Sequence, residues 1–113
     1  IVAGAELNRA TIAGRLDRGH LDATTLMEHL IGRGVPQRTA HGIVGKLVRQ
    51  ALDRDVRLGD LSLEEFREVY PEVDESVYNV LGAEQAVGAM QSYGSTAPER
   101  VREQIKLWKE RLA

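Results

Sequence analysis

Apolar residues recur along this chain at steps of three and four, the spacing that gives a helix one buried face. The clearest run is Ala40, Ile43, Val44, Leu47, Val48, Ala51 and Leu52, while Arg38, Lys46, Arg49 and Gln50 point away. That pattern predicts a helix of about four turns. Upstream, Leu26, Met27, Leu30 and Ile31 form a second apolar stripe in "LDATTLMEHLIGRG". Asp22 or Thr24 is positioned to cap this helix, and Thr25 with Glu28 matches a capping box. Gly34 supplies the left-handed residue that ends such a helix. Val35 and Pro36 then start the next one, at a point where a missing N–H has no partner to lose.

The flanking segments follow the same grammar. Leu7, Ile12 and Leu16 lie near one face of a first helix, Gly14 weakens it, and "DRGHLD" ends it. Ser62 with Glu65 is a capping box for "LEEFREVY", which Pro71 stops, and Asp74 is placed to cap a short helix through "ESVYNVL" that Gly82 ends. "AEQAVGAMQSYG" gives mixed signals, since Ala83, Ala86, Val87 and Met90 have helical spacing but Gly88 weakens it. Gly94 and Ser95 turn the chain into a last helix, with Thr96 and Glu99 as its capping box and Pro98 in its first turn. Val101, Ile105, Trp108 and Leu112 are expected to be its buried face. The fold class is therefore all-α, a small domain of about five or six short helices arranged as stacked helix-turn-helix pairs.

Composition supports that reading. The 113 residues suit one domain with a modest core, and 42% hydrophobic content with only 4% aromatic residues favours helix on helix over a sandwich. Cysteine is absent, which excludes a disulfide scaffold and a thiolate-held metal site. No run approaches the length of a membrane span and no signal peptide is evident, so a soluble, cytoplasmic protein is expected. The net charge of −2 hides a division along the chain. Residues 33–57 carry six basic and two acidic residues, while 58–90 carry one basic and eight acidic. The two stretches suit facing each other or a partner. Ile1 is not an initiator methionine, and "IVAGAELNRATIAGRL" reads as a helix already under way. Residues 1–20 are thus expected to be the end of a helix leading in from a preceding domain, and 21–113 the helical domain proper.

Candidate chemistry is sparse. The Ser92–Trp108 stretch lacks the second glycine and the lysine of a phosphate loop, so capping outweighs an anion site at Ser95 and Thr96. A serine nucleophile needs a base in reach, and Ser92 and Ser95 have no histidine near them in sequence. His20, His29 and His41 lie on different elements with no His-x-x-x-His pair, which argues against metal. His41, one residue from the apolar stripe, is expected to be a packed or hydrogen-bonded structural histidine. Glu64, Glu65, Glu68, Glu72, Asp74 and Glu75 suit helix starts and solvated faces, and their spacing matches no calcium loop. Trp108 is expected in core or interface. The residues singled out are structural, namely Gly34, Pro36, His41, Ser62, Gly94, Thr96 and Pro98, with none assigned to catalysis, cofactor or metal. A different reading takes the central helix-turn-helix as a free-standing nucleic-acid or protein-binding module, with Gln37, Arg38, His41 and Lys46 toward a groove or its phosphates. The acidic segment disfavours it.

Taken together, "ATTLMEHLIGRGVPQRTAHGIVG", "LSLEEF", "VYNVL" and "SYGSTAPERV" resemble the C-terminal domain of argininosuccinate lyase, in the fumarase and aspartase superfamily that includes the delta-crystallins. The resemblance runs from about Asn8 to Leu112, although the first sixteen residues match poorly and Ser95 stands where the family commonly has a second glycine. It implies a parent enzyme that cleaves argininosuccinate to arginine and fumarate by β-elimination, without metal or organic cofactor. It also implies a homotetramer whose active sites combine segments of three subunits. The family's catalytic Gly-Ser-Ser-x-Met-Pro loop does not occur here, so no catalytic residue carries over and the isolated chain is expected to be inactive. Its partners would be the remaining domains of the parent chain and the other subunits, with no membrane and no nucleic acid.

Overall fold

In the computed structural model, which describes residues 2–113, six α-helices and three short 3-10 segments account for the regular structure, and no strand occurs among the described residues. The α-helices are α1 (Arg9–Arg18), α2 (Ala23–Gly32), α3 (Gln37–Asp53), α4 (Leu63–Val69), α5 (Ala83–Gly88) and α6 (Pro98–Leu112). The 3-10 segments are Val2–Gly4, Leu58–Asp60 and Glu75–Val80. The all-α expectation holds.

The α2–α3 hairpin is the centre of the domain. Leu26 and Leu30 of α2 pack on Ala40, Ile43, Val44, Leu47 and Ala51 of α3, all buried. The buried stripes are narrower than the sequence pattern, because neighbours cover one side of each helix only. Val48 and Met27 are half-buried, whereas Leu52 and Ile31 reach solvent. Phe66 of α4 closes the core from below α3, fully buried, with the Tyr78 ring edge-on at 5.8 Å between centroids. Burying Tyr78 requires a partner for its hydroxyl, which donates to the Leu61 carbonyl at 2.7 Å. Val73, Val77 and Leu81 complete the cluster from the Glu75–Val80 side.

Chain reversals explain how the hairpin is held. At the end of α2, Gly34 has φ +94°, its N–H donates to the Ile31 carbonyl at 2.9 Å, and the Val35 N–H donates to Leu30 at 3.0 Å. These paired bonds are a Schellman motif, and buried Val35 and Leu30 belong to the same core cluster beneath it. Pro36 stands at the N-cap of α3, where its carbonyl accepts from the Ala40 N–H at 2.9 Å. The end of α3 repeats the motif with a non-glycine residue. Asp55, at φ +52°, donates to Leu52 and Val56 donates to Ala51.

Several expected helix starts differ. Ile1 lies outside the described residues, and the opening is not one continuous helix, because α1 begins only at Arg9, where the Asn8 side chain accepts from the Thr11 N–H at 3.1 Å. Thr25 forms no capping box with Glu28; its hydroxyl turns back to donate to the Asp22 carbonyl at 3.1 Å. Asp22 is the N-cap of α2 without a side-chain capping bond, its carboxylate being used elsewhere. Ser62 and Glu65 do form the expected box, with Ser62 N–H donating to Glu65 at 2.7 Å. Asp74 likewise accepts from the Ser76 N–H at 2.9 Å, although the segment it caps is 3-10.

The largest departures are at the two ends. Among the residues whose side chains are described, neither α1 nor α6 contributes one to the buried core: Ile12 and Leu16 are exposed, as are Val101, Ile105, Trp108 and Leu112. The radius of gyration is 17.1 Å, with extents of 55 × 32 × 22 Å. A compact domain of this length would have a radius near 13 Å. The end helices project from the core and leave their apolar faces uncovered.

Candidate functional site

Three polar regions could carry chemistry: the loop into α6, a cluster between α2 and the Glu75–Val80 segment, and a cleft beside α5. In the first, Gly94 takes φ +75°, which suits the glycine and lets the chain double back. The Ser95 hydroxyl is committed to two backbone carbonyls, those of Met90 and Ser92, and so has no histidine activating it. Pro98 occupies the first position of α6 as expected, but Thr96 is not its cap. The N-cap is buried Ala97, which has no side-chain oxygen, and Thr96 is exposed. No capping box with Glu99 forms, because the helix starts one residue later than the pattern suggested.

The second region joins residues far apart in sequence. The Ser76 hydroxyl lies 3.0 Å from His29 Nε2 and accepts from Arg33 Nη1 at 3.0 Å, while Arg33 also pairs with Asp74 at 2.6 Å. The hydroxyl and N–H of Ser76, with Arg33 behind them, hold the Asp74 carboxyl at about 2. Burial, reinforced by the Arg33 guanidinium, lowers the His29 pKa despite the opposing pull of Asp74. A Ser–His contact resembles a nucleophile and its base. Here Arg33 and Asp74 enclose it as a strut between α2 and the 3-10 segment. Sequence reading missed it, since 47 residues separate His29 from Ser76 and no local pattern signals the contact.

The third region is a cleft of about 220 Å³ lined by Leu16, His20, Asp22, Arg57, Asp60 and Gly82 among others. The buried Asp22 carboxylate accepts from the Gly82 N–H at 2.7 Å. Arg57 binds Asp60 through two side-chain bonds of 3.0 and 2.9 Å, which lower the Asp60 pKa. These charges are engaged with one another and with backbone groups.

His41 is exposed on α3 rather than packed, alongside exposed Gln37, Arg38 and Lys46. One residue's offset is a rotation of about 100° on a helix, which takes His41 off the buried stripe. The three histidines do not converge, and no group of His, Asp and Glu suited to a metal occurs among the described residues. Glu65 is spent on Ser62 and Arg54, and Glu72 accepts from the Tyr70 hydroxyl at 2.6 Å. No described helix is long and apolar enough to cross a membrane.

Similarity to known proteins decides what such a domain belongs to. Residues 20–88 match the family model described as argininosuccinate lyase C-terminal. The chain belongs to the argininosuccinate lyase family. It is 57% identical over 112 residues, 99% of its length, to the argininosuccinate lyase of Rhodopirellula baltica. Identity is 43% over 93% of the chain to the chloroplastic argininosuccinate lyase of Arabidopsis thaliana, and 43% over 98% to that of Chloroflexus aurantiacus. The chain covers only 24%, 20% and 25% of those three relatives, so it corresponds to about a quarter of an argininosuccinate lyase, its C-terminal region. The similarity extends over nearly all of the first sixteen residues, which the motif pattern alone matched poorly. Nothing in these similarities supports the nucleic-acid module.

Proposed function

We propose that these residues are the C-terminal structural domain of a longer argininosuccinate lyase, which cleaves argininosuccinate to arginine and fumarate. In that reaction a base takes a proton from the carbon beside a carboxylate. The electron pair forms the new C=C bond of fumarate, the C–N bond breaks, and the guanidino nitrogen leaves protonated. This segment supplies none of those groups. Its role is to fold as residues 21–113, with residues 1–20 leading in from the preceding domain, and to pack against the rest of the parent chain and the other subunits of a homotetramer. The enzyme works in the cytoplasm and needs no cofactor.

The observation that carries this reading is 57% identity across 99% of the chain to a lyase four times as long. The local geometry agrees with a supporting part, because Ser95, Ser76, Asp74 and Glu65 are engaged in caps and struts. The test is fumarate release from argininosuccinate by the full-length polypeptide, with the 113-residue chain as the inactive comparison. A full-length polypeptide that releases none would overturn the assignment.

A further inference from the structure

Helix α6 starts from a fixed point. Ala97 is buried, its N–H donates to the Met90 carbonyl at 3.3 Å, and the Ser95 hydroxyl closes the same turn. Beyond that anchor the helix runs out with Val101 42%, Ile105 50%, Trp108 53% and Leu112 80% exposed. These four recur at i, i+4, i+7 and i+11, so they form one continuous stripe. Gly94, Ser95 and Thr96 close its N-terminal end. An ordered, contiguous apolar face of this kind marks an interaction surface, whereas scattered exposed leucines would not.

The charges beside the stripe say what fits it. At 100° per residue, Arg102 and Lys109 border one side and Arg111 the other, where it lies 5.4 Å over the Trp108 ring. Glu99, Glu103 and Glu110 all fall on the opposite side of the helix. A second copy of α6 would bring like charges together along both borders, which disfavours self-pairing. An apolar stripe with acidic borders would complement it.

We propose, resting on the lyase reading above, that this face is the seat of a helix from the three quarters of the parent polypeptide that these residues lack, its apolar stripe flanked by Asp or Glu. The relatives' length supplies the occupant, since the chain is 24% of the lyase it matches at 57% identity. Docking would cover Trp108 and neutralise Arg102 and Lys109.

Cysteine labelling tests this, using Ile105→Cys on the stripe and Glu103→Cys on the far side as a control, both read by peptide mass mapping. A polar maleimide should react with position 105 at least about ten-fold more slowly in the full-length polypeptide than in the 113-residue chain, and with position 103 equally in both. Equal rates at 105 would overturn the docking. Adding Arg102→Glu and Lys109→Glu to the full-length protein should bring labelling at 105 back toward the free-chain rate. No change there would refute the acidic borders. A dimer of the 113-residue chain dispersed by Trp108→Glu would put a second copy on the face instead. Binding of the full-length protein to anionic vesicles, lost with the same substitution, would assign it to a membrane surface. A gene encoding no more than these residues would leave the proposed occupant without existence. Fumarate release separates the two readings, because a full-length protein that is active yet leaves position 105 open refutes the docking alone, and a protected but inactive one refutes the lyase assignment alone.

Discussion

The Asp22 carboxylate and the Gly82 backbone N–H, 60 residues apart in the chain, meet at 2.7 Å and tie the start of α2 to the start of α5. Asp22 reads in the sequence as a helix cap, and it does occupy the N-cap position, yet its side chain serves a distant segment instead. Asp22→Ala should therefore destabilise by about 1–3 kcal/mol, through a part-buried N–H left without its acceptor. Asp22→Asn keeps a neutral acceptor and should retain about half of that. Gly82→Ala attacks the same junction from the other side, because φ is +93° and a Cβ would lie 2.7 Å from Gln85 Oε1. Urea midpoints that fall for Ala at both positions, with unchanged slopes, would establish the tie, and an unaffected Asp22→Ala midpoint would refute it.

The two ends of the α2–α3 pair offer a matched experiment in backbone strain. Gly34 and Asp55 hold the same position in two Schellman motifs, at φ +94° and +52°. Only glycine takes that conformation without a steric cost, although aspartate tolerates it better than most. Gly34→Ala should lower stability by about 1–2 kcal/mol. Asp55→Gly should raise it by about 0.5 kcal/mol, the relief of strain being partly offset by a more flexible unfolded chain. Opposite shifts in melting temperature check both, and a destabilised Asp55→Gly would mean that the aspartate side chain matters more than its backbone.

Phe66 is fully buried and edge-on to Tyr78. Truncation to alanine should cost about 3–5 kcal/mol. A domain of this size has about 5–15 kcal/mol to lose, so Phe66→Ala should forfeit a large share of its stability and melt well below Phe66→Leu. Circular dichroism through thermal melts distinguishes them.

How far the sequence foretold this molecule depends on distance along the chain. The α2–α3 hairpin, the Gly34 reversal, the Ser62–Glu65 box and Asp74 as a cap were legible, because each is settled by residues within a few positions of one another. Thr25 and Thr96 misled for the same local reason, since both fit a capping pattern while a neighbouring residue provides the actual start. The α6 stripe was read correctly as amphipathic and wrongly as covered. Periodicity states that a face is apolar and leaves open whether its partner lies within the same 113 residues. The Asp22–Gly82 tie and the His29–Ser76 strut were invisible, being contacts between segments that only the fold brings together. Family membership was legible from the order of weak motifs, and the absence of the family's catalytic loop from these residues was equally plain.

The His29 strut sets an acid response whose sign can be worked out. Burial and Arg33 lower the His29 pKa in the folded state below its ordinary 6.5. Between the folded value and 6.5 the unfolded chain binds more protons than the folded one, so stability falls as pH drops through that window. The Asp74 carboxyl, held at about 2 against an ordinary 3.8, adds stability that persists above pH 4 and disappears only as pH falls toward 2. Two separate acid phases should therefore appear in the stability profile. His29→Asn should remove the upper phase while leaving the lower one, and Asp74→Asn should shrink the lower phase, to which Asp60 and Glu65 also contribute, while leaving the upper one. Chemical denaturation at steps from pH 8 to pH 2 measures both. If His29→Asn leaves the slope just below pH 6.5 intact, the strut does not control the acid response and another group must be titrating there.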